Sequence, residues 1–448
     1  MVKSSRTLKL DPLYKIKLYI IILYMQTIRI CVTFLFIVLL ASHELCGQDN
    51  RFSERIKNIA VTLDSSALSN YAPFDLAGEI DSNFKVLGIG EQSHGTSEFF
   101  KARISLIKSL VKSDGLTKIG LEAPFAEVEN LNTYILDGKG DLRQILKSFR
   151  LFNYECKEFI DMVENVKLVN ESVKSPITFF GMDMQTPFQA LQNVLESCNA
   201  HGSATADSIK VLTGYYRLLD NEIYNHAFNK EDFTELSILS NHVFTKLSGY
   251  KAPCLEKRLI RKSKENYEQF LLLNNPGNSY ETQATLRDSL MAENIINEME
   301  PGDKIVILAH NGHVQRTPNA YSKSMGFFLS RKLGAQYQCI ALTTSTGFYT
   351  AFTPAAGKVT DKNKISAGVA GTFEYEFSKI QKPIFFFKTS TVQKQKGDET
   401  LPNKYKLLPF GITDRPFVNG NLLDDFNYIL HIEKTFGNQS FYLTSGQN

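Results

Sequence analysis

The clearest pattern along this chain is a series of short apolar runs, each broken off by polar residues at a turn. Val86 to Ile89 leads into Gly90-Glu91-Gln92-Ser93-His94-Gly95-Thr96, and Ile305 to Leu308 leads into Ala309-His310-Asn311-Gly312-His313-Val314. Apolar, β-branched runs of this length predict buried strands. After the first turn, Phe100, Ile104, Ile107 and Val111 fall on one helical face, predicting a helix over Ser97 to Lys112 that Asp114-Gly115 ends. The next run, Lys118 to Ala123, stops at Pro124. Strand, helix and strand at this spacing predict parallel pairing through a right-handed crossover. Both strand ends then share one edge, and His94 and Glu122 become neighbours.

The pattern recurs downstream. Ile177 to Gly181 predicts a strand that delivers Asp183, Lys304 to Ala309 delivers the two histidines, and Tyr337 to Thr344 follows a helix that starts near Met325. Phe385 to Phe387 and Tyr428 to Ile432 predict two more strands. From Thr205 to Ile296 the periodicity is helical, closing with a helix over Tyr280 to Glu298. The expected fold is α/β: a mostly parallel central sheet with helices on both faces, plus a helical subdomain at residues 205–296. In such sheets ligands bind where loops converge at the carboxyl ends of the strands.

Composition narrows the class. With 43% hydrophobic and 22% charged residues over 448 positions, the chain reads as an ordinary globular protein with a large core. The formal charge of +3 arises from the N-terminal segment, where Lys3, Arg6, Lys9, Lys15, Lys17 and Arg29 face only Asp11 and Glu44. Without residues 1–47 no basic excess remains, which argues against nucleic acid as a partner. Those residues read as an export leader. Arg29 precedes an apolar run from Ile30 to Ala41, too short for an unaided membrane span, and a small polar region ends at Cys46-Gly47. The protein is therefore expected to be exported, meeting the membrane only through an uncleaved leader. Of six cysteines, Cys156, Cys198, Cys254 and Cys339 lie beyond it, with no C-x-x-C pair.

The chemistry sits at the turns. Free histidine, with a pKa of about 6.5, is the side chain best matched to general-base work near neutrality. His310, His313 or Arg103 offer donors for a developing oxyanion, and Glu91 or Glu122 can fix a histidine's tautomer. No Gly-x-Ser-x-Gly elbow occurs, and Ser93 is the one obvious nucleophile beside His94, so direct water attack is favoured. Each residue also has a structural reading. One histidine of the pair can hold its turn while the other faces the pocket, Asp183 can cap its strand, and Arg287 can pair with Asp288.

These segments, with Glu98-Phe99, Gly120-Leu121-Glu122-Ala123, Arg287-Asp288 and Met291-Ala292-Glu293-Asn294, closely resemble the erythromycin esterase family over roughly residues 52–440. The resemblance implies an α/β core with a helical portion and hydrolysis of an ester, a macrolactone in the activity that names the family. It makes His94 the base that activates water, with Glu91, Arg103, Glu122, His310 and His313 lining the same pocket. Tyr154, Asp183 and Arg287 complete it as substrate-facing residues. Family members carry tryptophans around the site; this chain has none, and Phe152 and Tyr154 stand where an aromatic is expected. The implied partner is a small-molecule ester, and neither metal nor cofactor is expected. A second class stays open on the residues alone: a protein that binds haem or another ligand in this pocket without turnover.

Overall fold

A computed structural model describes residues 24–29, 32–34, 52–185, 207, 210–211, 230–248, 257–319, 322–392, 401–408, 413 and 415–443. The chain divides into residues 1–55 and residues 56–448. Most of the expected leader lies outside the described residues, as do Cys198, Cys254 and much of 205–256. Among the described residues no helix is long and apolar enough to cross a membrane. Cys156 and Cys339 are buried free thiols.

Residues 56–448 are built on a mixed sheet. Its strands are β1 (Val61–Thr62), β2 (Val86–Ile89), β3 (Lys118–Pro124), β4 (Thr178–Asp183), β5 (Ile305–Leu308), β6 (Tyr337–Thr353), β7 (Lys358–Ile365), β8 (Ile384–Lys388) and, after a separate hairpin of β9 (Lys404–Lys406) and β10 (Phe417–Asn419), β11 (Tyr428–Thr435). The order is β1-β8-β11-β6-β2-β5-β3-β4, with β7 on the extension of β6. The six strands from β11 to β4 are parallel, and β8, β1 and β7 are antiparallel additions. Every residue of β2 and β5 is buried, as continuous apolar runs inside a parallel sheet require.

One expectation needs correction. β2 and β3 are parallel but do not pair, because β5 lies between them, with Ile305 opposite both Val86 and Lys118. Loop entropy favours the local β2–β3 pair only weakly, so a strand from more than 200 positions away can displace it when its apolar faces fit. The result brings the two histidine turns and Glu122 onto three adjacent strand ends. The chain builds to one side of β2 through β3 and β4 and to the other side after β5. In α/β sheets such a reversal of strand order marks the carboxyl edge where ligands bind.

Helices flank the sheet: α1 (Ser97–Asp114), α2 (Phe125–Asp137), α3 (Lys157–Asn170), α4 (Lys230–Ser248), α5 (Lys257–Leu273), α6 (Tyr280–Glu298) and α7 (Met325–Leu333). α1 ends at Gly115 in the left-handed conformation, as its sequence predicts. In the 205–296 block, α4 packs on α5, α5 on α2 and α6, and α6 directly on β4. α6 thereby carries its side chains to the edge where the turns meet.

Candidate functional site

Glycine lets the two turns meet. A Cβ on Gly90 would lie 2.0 Å from Asn311 Oδ1, and Gly95, at φ +72°, holds the left-handed turn with Thr350 O 2.0 Å from where its Cβ would stand. The loop after β5 therefore lies directly over the end of β2. Thr350 and Asn438 donate their N–H groups to Gly95 O at 2.8 and 2.9 Å, pinning the first turn from its other side.

Within that turn His94 Nδ1 meets Glu91 Oε1 at 2.6 Å. Glu91 is held in turn by Arg103, which reaches back from the second turn of α1 and donates from Nη1 to Oε2 at 2.9 Å. The same guanidinium donates from Nη2 to Ile89 O and Ala309 O, at 3.2 and 2.7 Å, and so ties the ends of β2 and β5 together. Arg103 is 2% exposed, which places it in the site and rules out a solvated helix face. Ser93 points elsewhere: its hydroxyl is engaged with Thr96 Oγ1 at 2.7 Å.

The second turn separates its histidines. His310 caps the single helical turn Asn311–Val314, with Nδ1 accepting from Gly312 N at 3.2 Å and Nε2 against the carbonyl of Gln92 at 3.1 Å. Burial pushes its pKa well down, and the neighbouring His94 and His313 add to that. Both ring nitrogens thus serve the backbone of a neutral imidazole, whose ring centre lies 5.2 Å from that of His94. His313 is the more exposed of the two, its side chain 17% exposed. Its Nδ1 sits 2.7 Å from Asp288 Oδ1, and its Nε2 lies 3.3 Å from Arg287 Nη1 and 3.4 Å from Glu122 Oε1. Burial would lower its pKa, but the carboxylates of Asp288 and Glu122 prevail and raise it.

Glu122 links the sides. Its Oε2 accepts His310 N–H at 3.1 Å and its Oε1 accepts Arg287 Nη2 at 2.9 Å. Burial alone would raise its pKa; His313, Arg287 and His94 together hold it far below the carboxylate range. Asp183, at the end of β4, takes Arg287 in a two-pronged pair of 3.2 and 2.6 Å and also accepts Met184 N. Arg287 and Asp288, adjacent on α6, reach different partners instead of each other. The Arg287 guanidinium is largely consumed by protein carboxylates, so it acts here as a clamp.

Tyr154 closes the wall from the segment before α3. It is buried, edge-on to Phe149 and Phe159 at 5.7 and 4.8 Å. Burial, then the Glu122 carboxylate, pushes its hydroxyl well up, keeping it a donor. Two contributors were not foreseen. Asp288 entered as part of the Arg287-Asp288 motif and as one half of a local ion pair but not as a partner of His313, and residues 401–408 carried no signal, yet Leu408 donates its N–H to Gln92 O at 2.9 Å beside the first turn. Among the described residues, no three His, Cys, Asp or Glu side chains form a metal-holding group.

Comparison with known proteins agrees with this architecture. The sequence profile described as Erythromycin esterase matches residues 111–435. The chain belongs to the erythromycin esterase family. The match starts downstream of the His94 turn, but whole-length relatives extend across it. This family member is 23% identical to erythromycin esterase type II of Escherichia coli over 443 residues, covering 88% of this chain and all of that one. It is 24% identical to the type I enzyme of the same organism, covering 61% and 73%. Among solved structures it resembles one described as a succinoglycan biosynthesis protein, at 24% identity and a TM-score of 0.72 over 87% of this chain and 98% of that one. It also resembles a mutant of the erythromycin esterase EreC in its open conformation, at 19% identity and a TM-score of 0.62 over 81% and 93%. The structural likeness supports the fold, and the family places the chain among esterase-type hydrolases.

Proposed function

We propose that this protein is an exported hydrolase that cleaves a carboxylic ester, a macrolide lactone being the first candidate, by attack of a water molecule that His94 deprotonates. The observation that carries the reading is the His94–Glu91 contact of 2.6 Å, clamped from behind by Arg103. A carboxylate on Nδ1 fixes the imidazole so that its other nitrogen serves as the base, and balances the imidazolium that forms. Ser93 is engaged with Thr96 and not with the histidine, which favours water over an acyl-enzyme. A donor-rich side, with His313 and the Tyr154 hydroxyl, suits a developing oxyanion. A pure binding pocket has no need of histidines backed by carboxylates.

The test is turnover of simple and macrocyclic esters by the mature protein, erythromycin among them, since two relatives carry that name. At least one ester is expected to be hydrolysed, and Ser93→Ala is expected to keep activity within about tenfold, because loss of a covalent nucleophile costs on the order of a million-fold. Collapse of turnover in Ser93→Ala would replace water attack with an acyl-enzyme, and no turnover of any ester would sink the hydrolase reading. Export rests on residues 1–47: the N-terminus of protein recovered outside the cytoplasm should begin near residue 48, and one beginning at Met1 would refute cleavage.

A further inference from the structure

We infer that Asp288 is a positioning residue that holds His313 as the proton donor to the leaving alcohol, so that the site divides acid and base work between two histidine–carboxylate pairs. This rests on the ester-hydrolase reading above. Asp288 is 1% exposed on α6, and its Oδ1 accepts both His313 Nδ1 at 2.7 Å and Met325 N–H at 2.9 Å. The second bond fixes the carboxylate to the start of α7. The imidazole then cannot rotate without breaking a buried contact, and Nε2 is left on the side of Arg287 and Glu122.

That nitrogen stands between two protein groups of opposite character. Arg287 Nη1, a donor, is 3.3 Å away, and Glu122 Oε1, an acceptor, is 3.4 Å away. With Nε2 unprotonated, the lone pair can receive Arg287 N–H; with it protonated, the charged ring lies beside the Glu122 carboxylate. Either state has a partner without side-chain movement, which is what a group that gains and loses a proton each cycle requires. The charged and titratable neighbours are Asp288 from its own helix side, Arg287 one residue before it, Glu122 from β3, and His310 on the same turn, with Asp183 behind Arg287. Their carboxylates favour the charged imidazolium, whereas His310 is held neutral by burial and has both nitrogens committed. Of the two histidines on this turn, His313 alone has a ring nitrogen not committed to the backbone, and its side chain is 17% exposed.

The step balances as follows in atoms and charge. His94 takes a proton from water as the water oxygen bonds to the acyl carbon. The acyl carbon–oxygen bond of the ester breaks, its electron pair stays on the leaving oxygen, and His313 Nε2–H supplies that oxygen's proton. His94 then releases its proton to solvent, His313 regains one, and the acid product ionises.

Leaving groups of different basicity test the assignment. Asp288→Asn is expected to lower kcat by about 100-fold on esters of simple alcohols, whose alkoxides need a proton, and by less than about tenfold on nitrophenyl esters, whose leaving groups do not. KM should change little. His313→Asn, which leaves the Asp288–Met325 contact in place, should show the same split if the first variant folds poorly. Equal losses on both ester types would overturn the acid assignment, whereas a parent protein inactive on every ester would refute the hydrolase reading instead. Imidazole NMR separates the two without turnover. His313 should titrate above the ordinary histidine value in the parent and about one unit lower in Asp288→Asn. An unchanged midpoint would remove Asp288 from the role.

Discussion

Replacing His94 by Asn is expected to reduce kcat/KM by about 100- to 10,000-fold on every ester the protein hydrolyses, whatever its leaving group, with the fold intact. A positioned base is worth that range because without it water must attack undeprotonated. Asparagine has similar size at a site 8% exposed and can still donate toward Glu91, so the Glu91–Arg103 pair keeps a polar neighbour. The loss should therefore appear in turnover and not in the thermal midpoint. The independence from leaving group separates this variant from those at Asp288 and His313. Activity within about tenfold of the parent would exclude His94 as the base, and would turn attention to His313, whose Nδ1 is also backed by a carboxylate.

How far the molecule could be read from its residues depends on whether the determinants are local. The strand ends at Ile89 and Leu308 were legible because each run is buried throughout and is followed by small and polar residues that only a turn accommodates. The limits of α1 and α6, and the start of α7, were legible for the same reason, from periodicity and turn residues. Insertion of β5 between β2 and β3 was not. Val86 meets Ile305 through contacts that no local pattern encodes, and a central parallel strand looks the same whichever neighbour it has. The extension of β6 beyond Gly347 was hidden too, because Gly347, at φ +141°, breaks the run before the part that pairs with β7.

The same division runs through the site. His94, Glu91 and Arg103 lie within 13 positions, so a turn followed by a helix nearly dictates that they meet. His310 and His313 were both legible as histidines of one turn, but their different work was not. A helical turn places residues three apart on one side, yet His310 is the capping residue just outside it and bends back to the Gly312 N–H. The role of Asp288 depended on how α6 docks against the sheet, and that is a property of packing between distant elements.

Arg287→Met should cost about 3–5 kcal/mol of stability near neutral pH, the largest structural effect expected at this site, because it strands two buried carboxylates. Arg287 makes four contacts: two with Asp183, one with Glu122 and one with His313. Methionine fills much of the volume, so the loss reports charge and not a cavity. Lysine would not restore it, since a single ammonium cannot reproduce the two-pronged contact with Asp183. The pH dependence distinguishes this cause from poor packing. In the parent, Glu122 is held far below the carboxylate range, since His313, Arg287 and His94 outweigh the cost of burial. Its contribution is complete above the unfolded value of about 4.3 and is lost only as pH falls below it. Without Arg287, Glu122 loses one of the charges that hold it down, so the share of stability that Arg287 supplies through it is present above the unfolded value and is lost as pH falls below it. Denaturant melts of parent and variant should therefore differ most at about pH 6 to 8 and least at about pH 3. A gap below about 1 kcal/mol at neutral pH, or one that does not change with pH, would show that Arg287 is not what neutralises this edge of the sheet.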